Sequence, residues 1–269
     1  MMSTTERMIR VYDRTMPGSN PRRYYENSGY FNFGYWGSGA TSQREASDAL
    51  VDQLTGRIVG KGGRILDVAC GLGASTRRLM DSYAPDMITG INISHAQIAA
   101  ARARAPGCGF NVMDATVLDF PDNHFDAVIC VEAAFHFDTR DGFFKEALRV
   151  LKPGGSLVLS DILYRKMCNA MVRLGQVPQA NLVASIDEYS ARLAAAGFTV
   201  VEVTDATDLC LGGFCRNLAG WARAERRAAR MKLPRSLATA VVARSLAWYF
   251  GLICRTYLLV SARKAVTSN

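Results

Sequence analysis

Residues 65–76 read Ile-Leu-Asp-Val-Ala-Cys-Gly-Leu-Gly-Ala-Ser-Thr: a short apolar run holding one acid, then two spaced glycines, then small residues that can start a helix. The pattern predicts a buried strand, a tight turn and a helix start, with a ligand lying over the turn. Gly71 and Gly73 permit left-handed backbone and let a ligand touch the main chain where a Cβ would clash. The wording also separates two ligand classes. A dinucleotide pyrophosphate site reads Gly-x-Gly-x-x-Gly, but the third glycine position here is Thr76, and Asp67 lies inside the strand. An acid beneath the turn suits a cationic ligand better than a pyrophosphate. Paired glycines can also form a bare structural turn, so the rest of the chain has to decide.

Outward from this turn, strand and helix signals alternate from residue 56 to residue 208, the pattern of an α/β doubly wound, mostly parallel sheet. Strands are expected at Ile65 to Val68, Met87 to Asn92, Gly109 to Val112, Phe125 to Val131 and Ser156 to Ser160, with two more at Thr199 to Val203 and Thr256 to Ala262. Helices are expected from Ala74 to about Ser82, from Ala96 to Arg104 behind a Ser94 cap, from an Asp138 cap to Leu151, and from Ser185 to Gly197. Two stretches, at about 166–182 and 209–253, break the alternation and read as cap insertions on a core of residues 56–269. The N-terminal 55 residues differ in flavour. Tyr24, Tyr25, Tyr30, Phe31, Phe33, Tyr35 and Trp36 crowd a stretch rich in Asn and Gly, which fits either a folded aromatic lid over a pocket or an arm packed against the body.

The net charge of +8 is local in origin. Residues 211–269 carry eleven Lys and Arg against Glu225 alone, a net +10, which leaves residues 1–210 near neutral. Arg223, Arg226, Arg227 and Arg230 recur at spacings of three and four. On one helix they would share a face able to hold a carboxylate or phosphate, or would form a solvated basic face. The seven cysteines show no metal-ligand spacing and read as reduced thiols, Cys70 included. No run of 18 apolar residues free of charge occurs and the N-terminus lacks an apolar signal region, so a cytoplasmic protein is expected. A homo-oligomer is compatible with these features.

Three further pieces fall where a ligand on the first turn would reach. Asn92 ends the second strand about 20 residues past the glycines, the usual place for a ribose contact, and Gln97 follows one helical turn later. After the third strand, Asp114 can accept an adenine amino proton and the Ala115 backbone can meet the ring. The set Leu66–Gly73, Gly90–Ser94, Met113–Ala115, Phe125–Val128 and Leu151–Gly155 resembles the class I S-adenosylmethionine-dependent methyltransferases. It looks most like the small-molecule enzymes of natural-product, sterol and quinone pathways. Phe33-Gly34-Tyr35-Trp36 and Glu132 to His136 are similar to segments of sugar and polyketide O-methyltransferases.

The resemblance implies a Rossmann-like, seven-stranded sheet with the last strand antiparallel, carrying an N-terminal lid and helical cap insertions. It places the amino-acid end of S-adenosylmethionine over Asp67, Ala69, Gly71 and Gly73, and the adenosine near Asn92, Ile93, Gln97, Asp114 and Ala115. Val131, Tyr35 and Trp36 would complete the cofactor site. Asn92 departs from the family, which usually has an acid there and so a stronger ribose acceptor.

Transfer of a methyl from a sulfonium to O, N or C depends on in-line positioning in a dry enclosure. A hydroxyl nucleophile also needs a proton acceptor. His136 follows the fourth strand at the carboxyl edge of the sheet, and Glu132 could orient it or hold the acceptor. Tyr25, Tyr35, Phe137, Arg226 and Arg230 are candidate acceptor contacts. No Asn-Pro-Pro-Tyr or Asp-Pro-Pro-Tyr follows the fourth strand, against exocyclic amino methylation of nucleic-acid bases such as those of DNA, and no metal-ligand cluster is seen. The favoured reading is O-methylation of a small hydrophobic or amphiphilic molecule, with C- or N-methylation open. The alternatives are an RNA methyltransferase using the basic C-terminal segment, a non-catalytic membrane-surface or partner-binding protein on the same fold, and a cofactor-bound fold that speeds a rearrangement without methyl transfer.

Overall fold

The computed structural model describes residue 10 and residues 19–60, 62–165 and 176–266. Most of the first insertion, and Cys168 with it, lies outside the described residues. Seven strands form one sheet in the order β3-β2-β1-β4-β5-β7-β6, with β1 Ile65–Val68, β2 Ile88–Asn92, β3 Gly109–Val112, β4 Phe125–Val131, β5 Leu151–Tyr164, β6 Phe198–Asp205 and β7 Cys254–Lys264. The first five strands run parallel, and β7 pairs antiparallel to both β5 and β6.

The helices follow the chain as α1 Ser19–Tyr24, α2 Gln43–Thr55, α3 Ala74–Leu79, α4 His95–Arg104, α5 Arg140–Val150, α6 Ile186–Ala196, α7 Gly213–Arg227 and α8 Leu233–Ile253. Period-two alternation divides the strand side chains between the two faces. Ala127 and Ile129 of β4 join the cluster containing Leu50 and Leu54 of α2 and Phe214 of α7. Val128 and Cys130 join the cluster containing Phe143 and Phe144 of α5 and Tyr189 of α6. The lid aromatics Tyr24, Tyr25, Tyr30 and Phe33 are buried in the first of these cores.

Local chemistry accounts for most of the helix ends. The hydroxyls of Ser42, Ser94 and Ser185 cap α2, α4 and α6 by accepting from the backbone N–H three residues on. Gly197 closes α6 in left-handed backbone, φ 112°. The cap of α5 is Thr139, whose hydroxyl accepts from Gly142 N, and not Asp138 as expected from sequence. Strand β5 starts five residues earlier than expected. Pairing jumps from Phe125 with Leu151 to Ala127 with Ser156, so Lys152-Pro153-Gly154-Gly155 forms an irregularity inside the strand and does not precede it.

Candidate active site

The carboxyl ends of β1, β2 and β4 open into a cleft of about 1160 Å³, open mouth included. Its floor is the glycine turn. Ala69, Gly71 and Gly73 all have left-handed backbone, with φ of 58°, 55° and 80°. A Cβ on Gly71 would meet nothing nearer than Gln97 Oε1 at 3.9 Å, because that side of the backbone faces the cleft. At Gly73 a Cβ would lie 2.7 Å from Ala101 Cα. Gly73 is therefore required for packing α3 against α4, and it is not among the residues lining the cleft.

Asp67 lies beneath the turn, buried, and is not part of the cleft wall. Its Oδ2 accepts from Ser75 Oγ at 2.8 Å and Thr76 Oγ1 at 2.7 Å, while Oδ1 is buried without a partner. Burial pushes its pKa up to about 6, against the lowering effect of the two hydroxyls. A cation above the turn would offset that penalty. Burial also pushes the Cys70 thiol well up, which makes it a packing residue.

Asn92, Ile93, Gln97, Asp114 and Ala115 line one end of the cleft. Asn92 Oδ1 accepts from Ser94 N at 2.9 Å, and Nδ2 donates to Gln97 Oε1 at 3.2 Å. The amide that replaces the usual acid thus builds the local turn and orients Gln97. Asp114 is held by Thr116, whose N and Oγ1 both donate to Oδ1 at 2.8 Å.

The other end holds Val131, Glu132, His136 and Phe137. His136 Nδ1 lies 2.5 Å from the Gln176 carbonyl oxygen. A carbonyl can only accept, so Nδ1 carries the proton and Nε2 holds the lone pair. Burial pushes the His136 pKa down to about 4, so the ring is neutral at physiological pH. The turn carrying it is fixed from behind: Asn181 Nδ2 donates to the carbonyls of Phe135 and Phe137, at 3.1 and 2.6 Å. Asn181 is in turn held by the buried Arg140, which pairs with Asp161 at 2.7 Å.

Glu132 adopts left-handed backbone, φ 55°, the kind of local strain that clusters at functional sites. Its Oε2 accepts from the Phe33 backbone N–H and the Tyr257 hydroxyl, each at 2.8 Å. Burial pushes its pKa up to about 8, so it is mainly protonated at neutral pH.

The aromatic lid is present, with different residues facing inward. Gly29, Tyr30, Phe31 and Asn32 line the cleft, and three sequence expectations are corrected here. Tyr25 packs against Tyr24 and Phe31. Tyr35 and Trp36 sit behind the lid, where Trp36 N donates to Leu209 O and its indole N–H to Phe33 O. Arg226 and Arg230 are also outside the cleft. Helix α7 ends at Arg227, Ala229 turns with φ 55°, and Arg230 folds back onto Glu225 at 2.7 Å. Glu225 also binds Arg23 at 2.7 Å, which ties the N-terminal arm to the cap.

Two contributors had no sequence signal. Arg104 Nε donates to Leu72 O and its Nη1 to Ser28 O, clamping the glycine turn to the lid. Asn32 brings a buried side-chain oxygen, Oδ1, with no partner to the cleft wall.

Comparison with known proteins agrees with this geometry. Residues 66–159 match the family model described as a methyltransferase domain. The chain is 33% identical over 228 residues to the erythromycin 3''-O-methyltransferase of Saccharopolyspora erythraea, covering 74% of each protein. The chain belongs to the class I S-adenosylmethionine-dependent methyltransferases. It is also 36% identical over 177 residues to the 27-O-demethylrifamycin SV methyltransferase of Amycolatopsis mediterranei, covering 61% of this chain and 64% of that one. The crystal structure of the [4+2]-cyclase SpnF superposes with a TM-score of 0.74 at 27% identity, covering 98% of this chain and 97% of that chain. This methyltransferase is thus an enzyme that uses S-adenosylmethionine to methylate a small molecule. The cofactor fits the site: open main chain at Gly71, a buried acid below, and no Lys or Arg among the described lining residues to suggest a pyrophosphate.

Proposed function

We propose that this methyltransferase O-methylates a neutral, largely apolar alcohol or phenol of natural-product type. The observation that carries this reading is the pairing at one end of the cleft. His136 presents an Nε2 lone pair, Glu132 is a carboxyl kept neutral by burial, and no described cation lines the wall. The curated O-methyltransferase relatives support it.

When bound, S-adenosylmethionine supplies an electrophilic methyl group. His136 accepts the hydroxyl proton as the oxygen attacks. Glu132, with Oε2 engaged, has Oε1 for a hydrogen bond to the acceptor, and Asn32 Oδ1 accepts from a donor on the bound molecules. The lid aromatics keep water out. The exposed arginines of α7 take no part, and neither RNA nor an anionic acceptor is expected at this site.

The test is single-turnover assay with labelled cofactor over a panel of polyketide alcohols, phenols, amines and prenyl diphosphates, following S-adenosylhomocysteine release. Neutral hydroxyl compounds should be methylated fastest. Preference for the diphosphates, or turnover of an acceptor with no methyl transfer, would overturn the reading.

Two predictions arise directly. His136 must be neutral, so activity should hold above its pKa and fall only toward about pH 4, well below the usual histidine range. Glu132 must be protonated, so activity should decline as pH rises through about 8. Glu132→Gln keeps an oxygen that can accept both of its hydrogen bonds and should remove the alkaline limb alone. A limb that persists in this variant assigns it to another group. Separately, Arg226→Glu with Arg230→Glu should leave the KM for the acceptor unchanged, because neither side chain reaches the cleft. Arg230→Glu alone should lower the melting temperature more than Arg226→Glu, since it sets a second carboxylate beside Glu225.

A further inference from the structure

The outer face of α8 is apolar, broad and exposed. Leu237, Val241, Trp248 and Leu252 fall on one stripe of the helix, with exposures of 60%, 67%, 70% and 45%, and Val242, Leu246 and Tyr249 extend it on one side. At about 100° per residue, Arg235 and Arg244 fall on the two edges of this face. A contiguous exposed patch of this kind marks an interaction surface.

Its surroundings are strongly basic. Arg216, Arg223, Arg226, Arg227, Lys232 and Arg255 are all exposed. The one acid from residue 211 onward, Glu225, is buried between Arg23 and Arg230. The cap therefore shows cations with no exposed acid in that segment to offset them.

The helix is long and apolar enough to cross a bilayer by length and composition alone, but its inner face is committed to the body. Ser236 Oγ donates to Ala222 O, Ala247 O accepts from the Cys215 thiol, and Phe250 packs on Phe33 and Phe214. Its C-terminus runs straight into β7 within the sheet. It can lie on a membrane and cannot span one.

We propose that α8 docks this methyltransferase on an anionic phospholipid surface, with the Trp248 stripe at the level of the headgroups and acyl boundary and the flanking arginines on phosphates. A second copy of the chain is the poorer occupant, because face-to-face packing would bring two unneutralised arginine rims together.

The experiment is flotation of the full chain with vesicles of phosphatidylcholine alone and of phosphatidylcholine with phosphatidylglycerol, at low and high salt. Binding is expected to the mixed vesicles only, weakening with salt, with a blue shift of tryptophan emission. Leu237→Glu with Trp248→Glu should weaken it roughly tenfold or more. S-adenosylmethionine affinity should stay unchanged, which shows that the variant is folded. Failure of the wild type to bind anionic vesicles at low salt, or equal binding by the variant, would overturn the proposal. So would a dimer in sedimentation that the same variant dissociates while vesicles capture nothing.

Discussion

Gly71→Val is expected to abolish binding of S-adenosylmethionine, a loss of roughly 100-fold or more in affinity, or about 3 kcal/mol. Two effects add. The Cβ and its methyls would project over the main chain on the side facing the cleft, where the nearest atom is Gln97 Oε1 at 3.9 Å. A branched residue would also have to hold φ near 55°, at a strain of about 1–3 kcal/mol. The free protein has room for the side chain, so the variant should fold and fail as a binder. Gly73→Ala provides the contrast. Its Cβ would fall 2.7 Å from Ala101 Cα and force α3 from α4, so the melting temperature should drop in the absence of any ligand. Calorimetry on folded Gly71→Val showing wild-type affinity would remove the turn from the cofactor site.

This division of labour between two glycines marks the limit of what the sequence could tell. The strand, turn and helix around residues 65–76 are local, because apolar run, glycine spacing and capping chemistry act within a few residues. The same holds for β4 and for the Ser94 and Ser185 caps. What Gly73 does depends on Ala101, a residue 28 positions away, and no spacing rule reports that approach. The lid shows the limit more clearly. Aromatic density between Tyr24 and Trp36 was legible as a folded element, but which rings face the cleft follows from long-range anchors. Phe33 N is held by Glu132, Trp36 N by Leu209 O and Ser28 O by Arg104. Those bonds turn Tyr30, Phe31 and Asn32 inward and Tyr35 and Trp36 outward. The arginine series departs from a single helix for another reason. Spacing alone extended one helix through Arg230, whereas α7 stops at Arg227 with neither Gly nor Pro to announce it, and Arg230 turns back to a buried Glu225.

His136→Ala should lower the single-turnover rate with an alcohol or phenol by roughly 10²–10⁴ while cofactor affinity stays near normal, as expected for loss of a general base. The geometry assigns the role atom by atom. The Gln176 carbonyl fixes the Nδ1–H tautomer, which leaves Nε2 as proton acceptor, and the Asn181 clamp on the carbonyls of Phe135 and Phe137 holds the turn. A pKa near 4 makes the free imidazole a weak base. It also keeps the ring unprotonated throughout the neutral range, and the positive charge that forms on it during attack would have to be stabilised nearby. The loss in His136→Ala should be larger for alcohols than for the more acidic phenols, which need less help from the base. His136→Asn should restore no more rate than alanine, because an amide cannot accept the proton. An unchanged rate in His136→Ala on a hydroxyl substrate would make His136 a structural residue of the cleft wall and move the base elsewhere.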